Sequence, residues 1–114
     1  MSYKIELTDN FKNEAKKLIK KYASLRTEII ELGKELAENP TSGTPLGNDV
    51  YKIRLAIASK NKGKSGGARI ISFVKIIDET VYFLSIYNKG NKDSISDRIS
   101  SGQSFVSYGY KQKY

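Results

Sequence analysis

Cysteine and histidine are both missing from this 114-residue chain, and their absence excludes several classes of chemistry. No disulfide can form, and the zinc-binding signatures that need Cys or His are absent. Histidine is also the side chain that titrates most readily near neutral pH. Any acid–base chemistry must therefore come from Lys, Arg, Tyr, Asp or Glu, and the lack of disulfides fits a reducing compartment.

Long apolar runs are absent as well. No segment approaches the roughly 20 apolar residues that a membrane-spanning helix requires. Residues Met1 to Glu6 lack the hydrophobic region of a secretory signal. We therefore expect a soluble cytoplasmic protein with no membrane partner, and the length is that of one domain with a modest core.

Positive charge is abundant and unevenly distributed. The formal net charge is +8, from 20 Lys and Arg against 12 Asp and Glu. Residues 49–75 hold seven Lys or Arg and one Asp, a net +6, whereas residues 1–48 and 76–114 carry +1 each. Such a local excess predicts either a polyanionic partner or a solvated basic surface.

Two amphipathic helices are predicted after a short N-terminal strand. Tyr3 to Leu7 alternates as a strand does, and Thr8 or Asp9 can cap the helix that follows. Ser24 is a candidate cap for the second helix, which Asn39-Pro40 ends because proline cannot continue it. The two apolar stripes predict a helical hairpin.

Three strands are predicted in the second half, after a loop over Thr41 to Asp49. The first, Tyr51 to Ile57, alternates cleanly, so Lys52 and Arg54 share the face opposite the apolar residues. The next, Ala68 to Ile77, is apolar on both faces, as in a central strand. The last is Val81 to Tyr87, after a tight turn.

This order, β-α-α-β-β-β, predicts an α+β fold. The N-terminal strand and helical hairpin would pack on a mainly antiparallel sheet of about four strands. Residues 93–99 are compatible with a short C-terminal helix. We expect one domain over residues 1–99 and a flexible, Ser/Gly/Tyr-rich tail over residues 100–114.

The tripeptide Gly63-Lys64-Ser65 also occurs at the end of nucleotide-binding P-loops, but that interpretation fails here. The P-loop pattern needs a glycine where this chain has Ala58, and it needs a helix where Ala68 begins a predicted strand. Lys60, Lys62, Lys64 and Arg69 crowd this connection instead, close to Lys52 and Arg54. Clustered like charges repel unless an anion completes the site, so the pattern favours a nucleic-acid phosphate site.

The chain resembles the RelE/HigB family of bacterial toxins from type II toxin–antitoxin pairs, within the RelE/ParE superfamily. The matching segments are Tyr51 to Leu55, Gly63 to Ile71 and Leu84 to Lys89, and Lys64-Ser65-Gly66-Gly67-Ala68-Arg69 is the most specific of them. The resemblance implies a basic sheet face and cleavage of messenger RNA, usually in the ribosomal A site, without metal or cofactor. It also implies a cognate antitoxin, often of helix-turn-helix type in this branch.

The resemblance also implies roles for individual residues. RNA cleavage by the substrate's own 2′-hydroxyl needs a base, stabilisation of the phosphorane and an acid for the leaving 5′-oxygen. A lysine can be the base where neighbouring positive charges favour its neutral form, and Lys52 beside Arg54 is the candidate. Arg54 and Arg69 are candidate phosphate clamps. Lys89 is the candidate acid or charge stabiliser, with Lys92 as its rival.

Binding of the RNA or ribosome is assigned to the remaining lysines of the basic segments, namely Lys60, Lys62, Lys64 and Lys92. Roles unrelated to RNA cleavage also stay open for some of these residues. Lys89 and Lys92 could serve only solubility, Arg69 could pair with Asp49 or Asp78, and Tyr82 and Tyr87 favour sheet packing over base stacking.

The C-terminal part departs from the family's pattern. Some relatives carry a catalytic tyrosine or histidine there, whereas the aligned stretch here is Asp93-Ser94-Ile95-Ser96. Tyr108, Tyr110 or Tyr114 could fold back to stack on a base. Two further functions therefore compete with the nuclease: a non-catalytic or decayed module that binds RNA or its antitoxin, and a ParE-like inhibitor of DNA gyrase.

Overall fold

The computed structural model describes residues 2–60 and 66–89. Seven main elements follow one another within them. They are β1 (Lys4–Leu7), α1 (Asp9–Lys21), α2 (Leu25–Glu38), β2 (Thr44–Gly47), β3 (Val50–Leu55), β4 (Ala68–Lys75) and β5 (Thr80–Asn88). Short 3₁₀ turns occupy Ala58–Lys60 and Ile76–Asp78. The α+β class and the order of the predicted elements are confirmed.

The strands form one mixed sheet in the order β1-β5-β4-β3-β2. β1 pairs with β5 in parallel, and the other three pairings are antiparallel. The predicted central strand is indeed β4, which lies in the middle of the sheet and is almost wholly buried. The first and last described strands are therefore neighbours, and the helical hairpin connects β1 to the rest of the sheet.

The helices cover one face of the sheet. Thr8 is the N-cap of α1, and its Oγ1 accepts a hydrogen bond from the Phe11 amide at 3.2 Å. The Phe11 ring meets Phe83 of β5 edge to face at 5.2 Å between centroids. One core unites buried side chains of both helices with those of β3, β4 and β5, namely Phe11, Ala15, Leu25, Ile29, Leu32, Leu36, Ile53, Ile57, Ala68, Ile70, Val74, Val81, Phe83 and Ile86. Neither described helix is long and apolar enough to cross a membrane.

The assignment of Thr41 to Asp49 wholly to a loop was wrong, because residues 44–47 form the edge strand β2. Pro45 hid this strand from the pattern, but proline is tolerated at a sheet edge. Asn48 and Asp49 connect β2 to β3 with positive φ values of 56° and 64°, as a type I′ hairpin turn requires.

Strand lengths also differ from the prediction. β3 ends at Leu55 rather than Ile57, and β4 ends at Lys75, where the 3₁₀ turn begins. Residues 93–99, for which a short helix was compatible, lie outside the described residues.

Ser72 of β4 is a polar residue in the middle of the sheet. It is fully buried, and its Oγ has no hydrogen-bond partner among the residues that the structure describes. Ser85 of β5 is buried equally, but its Oγ donates to Glu14 Oε1 at 2.7 Å. The two serines are equally buried but differ in hydrogen bonding, so substitutions at the two positions can be compared directly.

Ser72→Ala should leave the free energy of unfolding unchanged or raise it by about 1 kcal/mol, because it removes a buried hydroxyl without a partner. Ser85→Ala should lower it by about 1–2 kcal/mol, since it leaves Glu14 with one bond fewer. Urea unfolding followed by circular dichroism measures both. A clear loss of stability in Ser72→Ala would contradict the prediction.

Candidate functional site

Three of the four predicted catalytic residues lie on one face of the sheet. Arg54 of β3 pairs directly with Arg69 of β4, and Lys52 lies two residues before Arg54. Ile53 and Ile70, the residues between them, are buried in the core beneath the helices. Because side chains alternate along a strand, the three cations occupy the opposite face. The sequence predicted this for Lys52 and Arg54, and the pairing adds Arg69.

Arg69 is the buried member of this group. It is 6% exposed, and its Nη1 donates to the Ala68 carbonyl oxygen at 3.2 Å. Burial lowers the pKa of Arg69 from its usual value, the adjacent Arg54 lowers it further, and Tyr87 acts in the opposite direction. The guanidinium remains charged at neutral pH. The lowered pKa therefore means that the fold carries an electrostatic cost that a bound anion would offset.

Tyr87 of β5 completes a row across three strands. Arg54 pairs with Arg69, and Arg69 pairs with Tyr87. We call Arg54, Arg69 and Tyr87 the arginine row. Residues directly opposite each other on neighbouring antiparallel strands have Cβ atoms about 4.5–5.5 Å apart. The sequence analysis favoured sheet packing for Tyr87, and its side chain does pack against a second buried cluster, formed by Val50, Ile71, Tyr82 and Leu84. It also lies beside Arg69.

The segment that most specifically resembles the family contains Gly67, and the structure shows why glycine is needed there. A Cβ atom at Gly67 would overlap the carbonyl oxygen of Leu55, so the end of β3 can approach the start of β4 only with glycine there. The Gly67 carbonyl oxygen also accepts a bond from the Lys89 amide at 3.0 Å. This places the Lys89 backbone at the same end of the sheet as the arginine row. The Lys89 side chain is exposed.

The two aspartates that were considered as ion-pair partners of Arg69, Asp49 and Asp78, both lie far from it along the strands. Asp78 forms an ion pair with Lys75 at 3.0 Å, beyond the opposite end of β4 from Arg69. Asp49 precedes β3, and its carbonyl oxygen accepts from the Val74 amide, also far along the strands from Arg69. Among the described residues, Lys52 and Arg54 form no ion pair.

A cavity of about 480 Å³ lies beside Lys52 and Arg54 at the edge of β3. Glu35 of α2 contributes one carboxylate to its lining, and Ser42 and Thr44 contribute hydroxyl-bearing side chains. Two cations thus face one acid around this cavity.

The 3₁₀ turn Ala58–Lys60 is bonded to the start of α2. Ser24, the predicted N-cap, makes no cap bond with its side chain, and its Oγ instead contacts Ser59 Oγ at 2.9 Å. Glu28 Oε2 accepts from the Ala58 amide at 2.8 Å. Lys60 ends this turn, whereas Lys62, Lys64 and Lys92 lie outside the described residues, as do Tyr108, Tyr110 and Tyr114.

A second surface, which the sequence analysis missed, lies between the two helices. It is a groove of about 490 Å³ with an apolar bed that includes Ile30, 54% exposed, and Leu7, 38% exposed. Among the residues that the structure describes, no acidic side chain lines it. Four cations line it beside the bed, namely Lys12, Lys16, Lys20 and Arg26. The regular spacing of the three lysines along α1 could have revealed this surface.

The fold and the site together define a small, basic α+β protein with paired guanidinium groups on one sheet face. The chain belongs to the RelE family, because the family model "RelE toxin of RelE / RelB toxin-antitoxin system" matches residues 3–112. It is thus a toxin of the RelE class, and the resemblance inferred from the sequence is confirmed.

Solved structures show the same fold. A mutant of E. coli toxin RelE in the free state is 20% identical, with 90% of this chain and 97% of that chain covered and a TM-score of 0.61. The toxin–antitoxin complex RelBE2 of Mycobacterium tuberculosis is 17% identical, with 77% of this chain and 99% of that chain covered and a TM-score of 0.60. The intact E. coli RelBE complex is 21% identical, covering 76% and 96%, with a TM-score of 0.59. A comparison with curated proteins yields no match.

Proposed function

We propose that this toxin is a metal-independent endoribonuclease that cleaves messenger RNA, acting in the ribosomal A site. The observation that carries the proposal is the pairing of Arg54 with Arg69 on the face that also bears Lys52. A buried guanidinium next to a second one has an electrostatic cost, which a phosphate between them would offset. Family membership supports the same conclusion.

The reaction assigns one task to each group. Lys52 takes the proton from the ribose 2′-hydroxyl, whose oxygen attacks the adjacent phosphorus. Arg54 and Arg69 bind the phosphate oxygens and stabilise the charge that develops on the phosphorane. Lys89 stabilises or protonates the departing 5′-oxygen. The products are a 2′,3′-cyclic phosphate on one fragment and a 5′-hydroxyl on the other. Lys60, Lys62, Lys64 and Lys92 contact the RNA or ribosome.

An antitoxin is the second partner that we propose, and the groove between α1 and α2 is its site. The solved complexes with this fold are toxin–antitoxin pairs. Within the described part of the chain, the groove combines an exposed apolar bed with four cations and no acid, so it suits an acidic amphipathic helix. Because the groove and the arginine row lie on opposite faces of the sheet, a helix in the groove would leave the row uncovered.

Inducible expression in bacteria tests the nuclease proposal. Wild type should arrest growth and produce new messenger RNA ends that carry a 5′-hydroxyl. These ends should fall at a fixed position relative to the reading frame. Lys52→Ala and Arg69→Ala should reduce cleavage by at least about 100-fold and abolish the arrest. Lys34→Ala, which removes a lysine exposed on α2, should behave as wild type.

Two outcomes would overturn the proposal. Growth arrest with DNA damage and intact transcripts would indicate a ParE-like action on gyrase. RNA binding without new transcript ends would indicate a non-catalytic module.

A further inference from the structure

A β-bulge interrupts β5 next to the arginine row. Ser72 pairs with Phe83, but the next residue along β4, Ile71, pairs with Ser85, so Leu84 is an extra residue without a partner. A bulge of this kind changes the pairing by one position, and a change by one position exchanges the faces on which side chains lie. The bulge therefore determines which residue of β5 lies beside Arg69.

Without the bulge, the residue beside Arg69 would be different. A regular continuation of the Ser72–Phe83 pairing would place Ile86 opposite Arg69 and turn Tyr87 toward the helices. With the bulge, Ile86 is 2% exposed in the core beneath the helices, and Tyr87 pairs with Arg69. The position of Tyr87 in the arginine row thus depends on Leu84 being unpaired.

Side chains of α1 hold the bulge. β1 ends at Leu7, opposite Phe83, so β5 loses its neighbouring strand at this point. Asn10 Nδ2 donates to the Leu84 carbonyl oxygen at 2.9 Å. Glu14 Oε1 accepts from Ser85 Oγ at 2.7 Å, from the Ile86 amide at 3.1 Å and from Asn10 Nδ2 at 3.1 Å. Glu14 is the centre of this network.

The network does more than supply hydrogen-bond partners to the edge of β5, because it also affects the opposite face of the sheet. Glu14 lies on α1, on the helix side of the sheet, and so does not belong to the RNA-binding face. Tyr87 interacts electrostatically with Arg69, in the direction that favours the charged guanidinium. A chain of contacts consequently runs from Glu14 through the bulge and Tyr87 to Arg69.

We propose that Glu14 is a positioning residue that acts on Arg69 through the β5 bulge and Tyr87. The inference rests on the proposed function in so far as Arg69 binds phosphate. Replacing Glu14 by alanine removes the acceptor for the Ile86 amide, so the bulge loosens and the Tyr87 side chain moves from its position beside Arg69. Glutamine keeps the acceptor oxygen, so Glu14→Gln should largely preserve the arrangement.

The first measurement needs no RNA. The NMR signal of the Arg69 Nε–Hε group reports the surroundings of the guanidinium. It should move in the same direction in Glu14→Ala and Tyr87→Phe and stay near its wild-type position in Glu14→Gln. Glu31→Ala, which removes an exposed carboxylate of α2, should leave the signal unchanged. An unmoved signal in Glu14→Ala would overturn the proposal.

The second measurement is affinity for a single-stranded RNA oligonucleotide with 2′-deoxy substitutions, which cannot be cleaved. Glu14→Ala and Tyr87→Phe should each weaken binding about tenfold, and the double variant should weaken it no further. A double variant whose loss is the product of the two single losses would show independent effects and overturn the proposal. A merely structural role for Glu14 would give that product.

A third variant keeps the test usable if Glu14→Ala does not fold. Asn10→Ala removes the bonds to the Leu84 carbonyl oxygen and to Glu14 Oε1. It keeps the bonds from Ser85 and the Ile86 amide to Glu14, so it should produce a smaller movement of the Arg69 signal in the same direction. An unmoved signal there would again contradict the proposal. If the expression test yields no new transcript ends while the Arg69 signal still responds to Glu14, the nuclease proposal fails and the positioning role stands.

Discussion

Replacing Arg69 with leucine is expected to reduce RNA cleavage by at least about 100-fold while leaving the chain as stable as wild type or more so. Arg69 is 6% exposed, and both its burial and the adjacent Arg54 lower its pKa. Leucine removes this cost and keeps part of the apolar packing of the arginine stem. Free energy of unfolding should therefore stay equal or rise by about 1–2 kcal/mol. Function and stability are expected to change in opposite directions because the charge proposed to bind phosphate is the one that burial and Arg54 disfavour in the free protein.

Purified variants allow both quantities to be measured, by urea unfolding and by cleavage of ribosome-bound messenger RNA. Arg26→Leu is the matched control, since it removes the same charge from the helix groove and should cleave as wild type. Sulfate or phosphate should raise the melting temperature of wild type and have a smaller effect on Arg69→Leu. A marked loss of stability in Arg69→Leu would show that the guanidinium is a structural group and would contradict the phosphate-clamp role.

Replacing Ile30 with aspartate is expected to weaken binding of the cognate antitoxin by about 100-fold or more. Ile30 is 54% exposed in the bed of the helix groove, so the free toxin should fold normally. Burying an isoleucine in an interface contributes roughly 1.5–3 kcal/mol. The new carboxylate would also repel an acidic helix and compete with it for the cations that line the groove. Isothermal titration of the antitoxin measures the effect.

The control for this substitution lies elsewhere on the surface. Ile77 is 87% exposed in the 3₁₀ turn between β4 and β5, outside the groove. Ile77→Asp adds the same charge and removes the same apolar group, and it should bind the antitoxin as wild type does. Equal affinities for the two variants would show that the antitoxin binds another face.

Much of the fold could be predicted because local patterns and tertiary packing agree. The apolar stripes of the two helices and the alternation in β3 place the same residues in the core that the structure does, such as Phe11, Leu36 and Ile53. β2 could not be predicted, because Pro45 and Gly47 indicate a loop and only pairing with β3 makes this segment a strand. Nor does local sequence reveal that β1 pairs with β5.

The candidate site was predictable where it depends on alternation within one strand. Lys52 and Arg54 share a face for that reason. The position of Arg69 beside Arg54 depends on the register between β3 and β4, which the close approach at Gly67 helps to set. Tyr87 could not be predicted as a member of the site, because the bulge at Leu84 changes the face on which it lies. A strictly alternating pattern gives no sign of an extra residue.

The parallel pairing of β1 with β5 also has a consequence for synthesis on the ribosome. The first strand stays without its neighbour until residues 80–83 have been made, and α1 cannot form its bonds to β5 until Ile86 has followed. Contacts between such distant parts of a chain form late in folding. The sheet, and with it the proposed site, therefore stays incomplete during synthesis until β5 has left the exit tunnel.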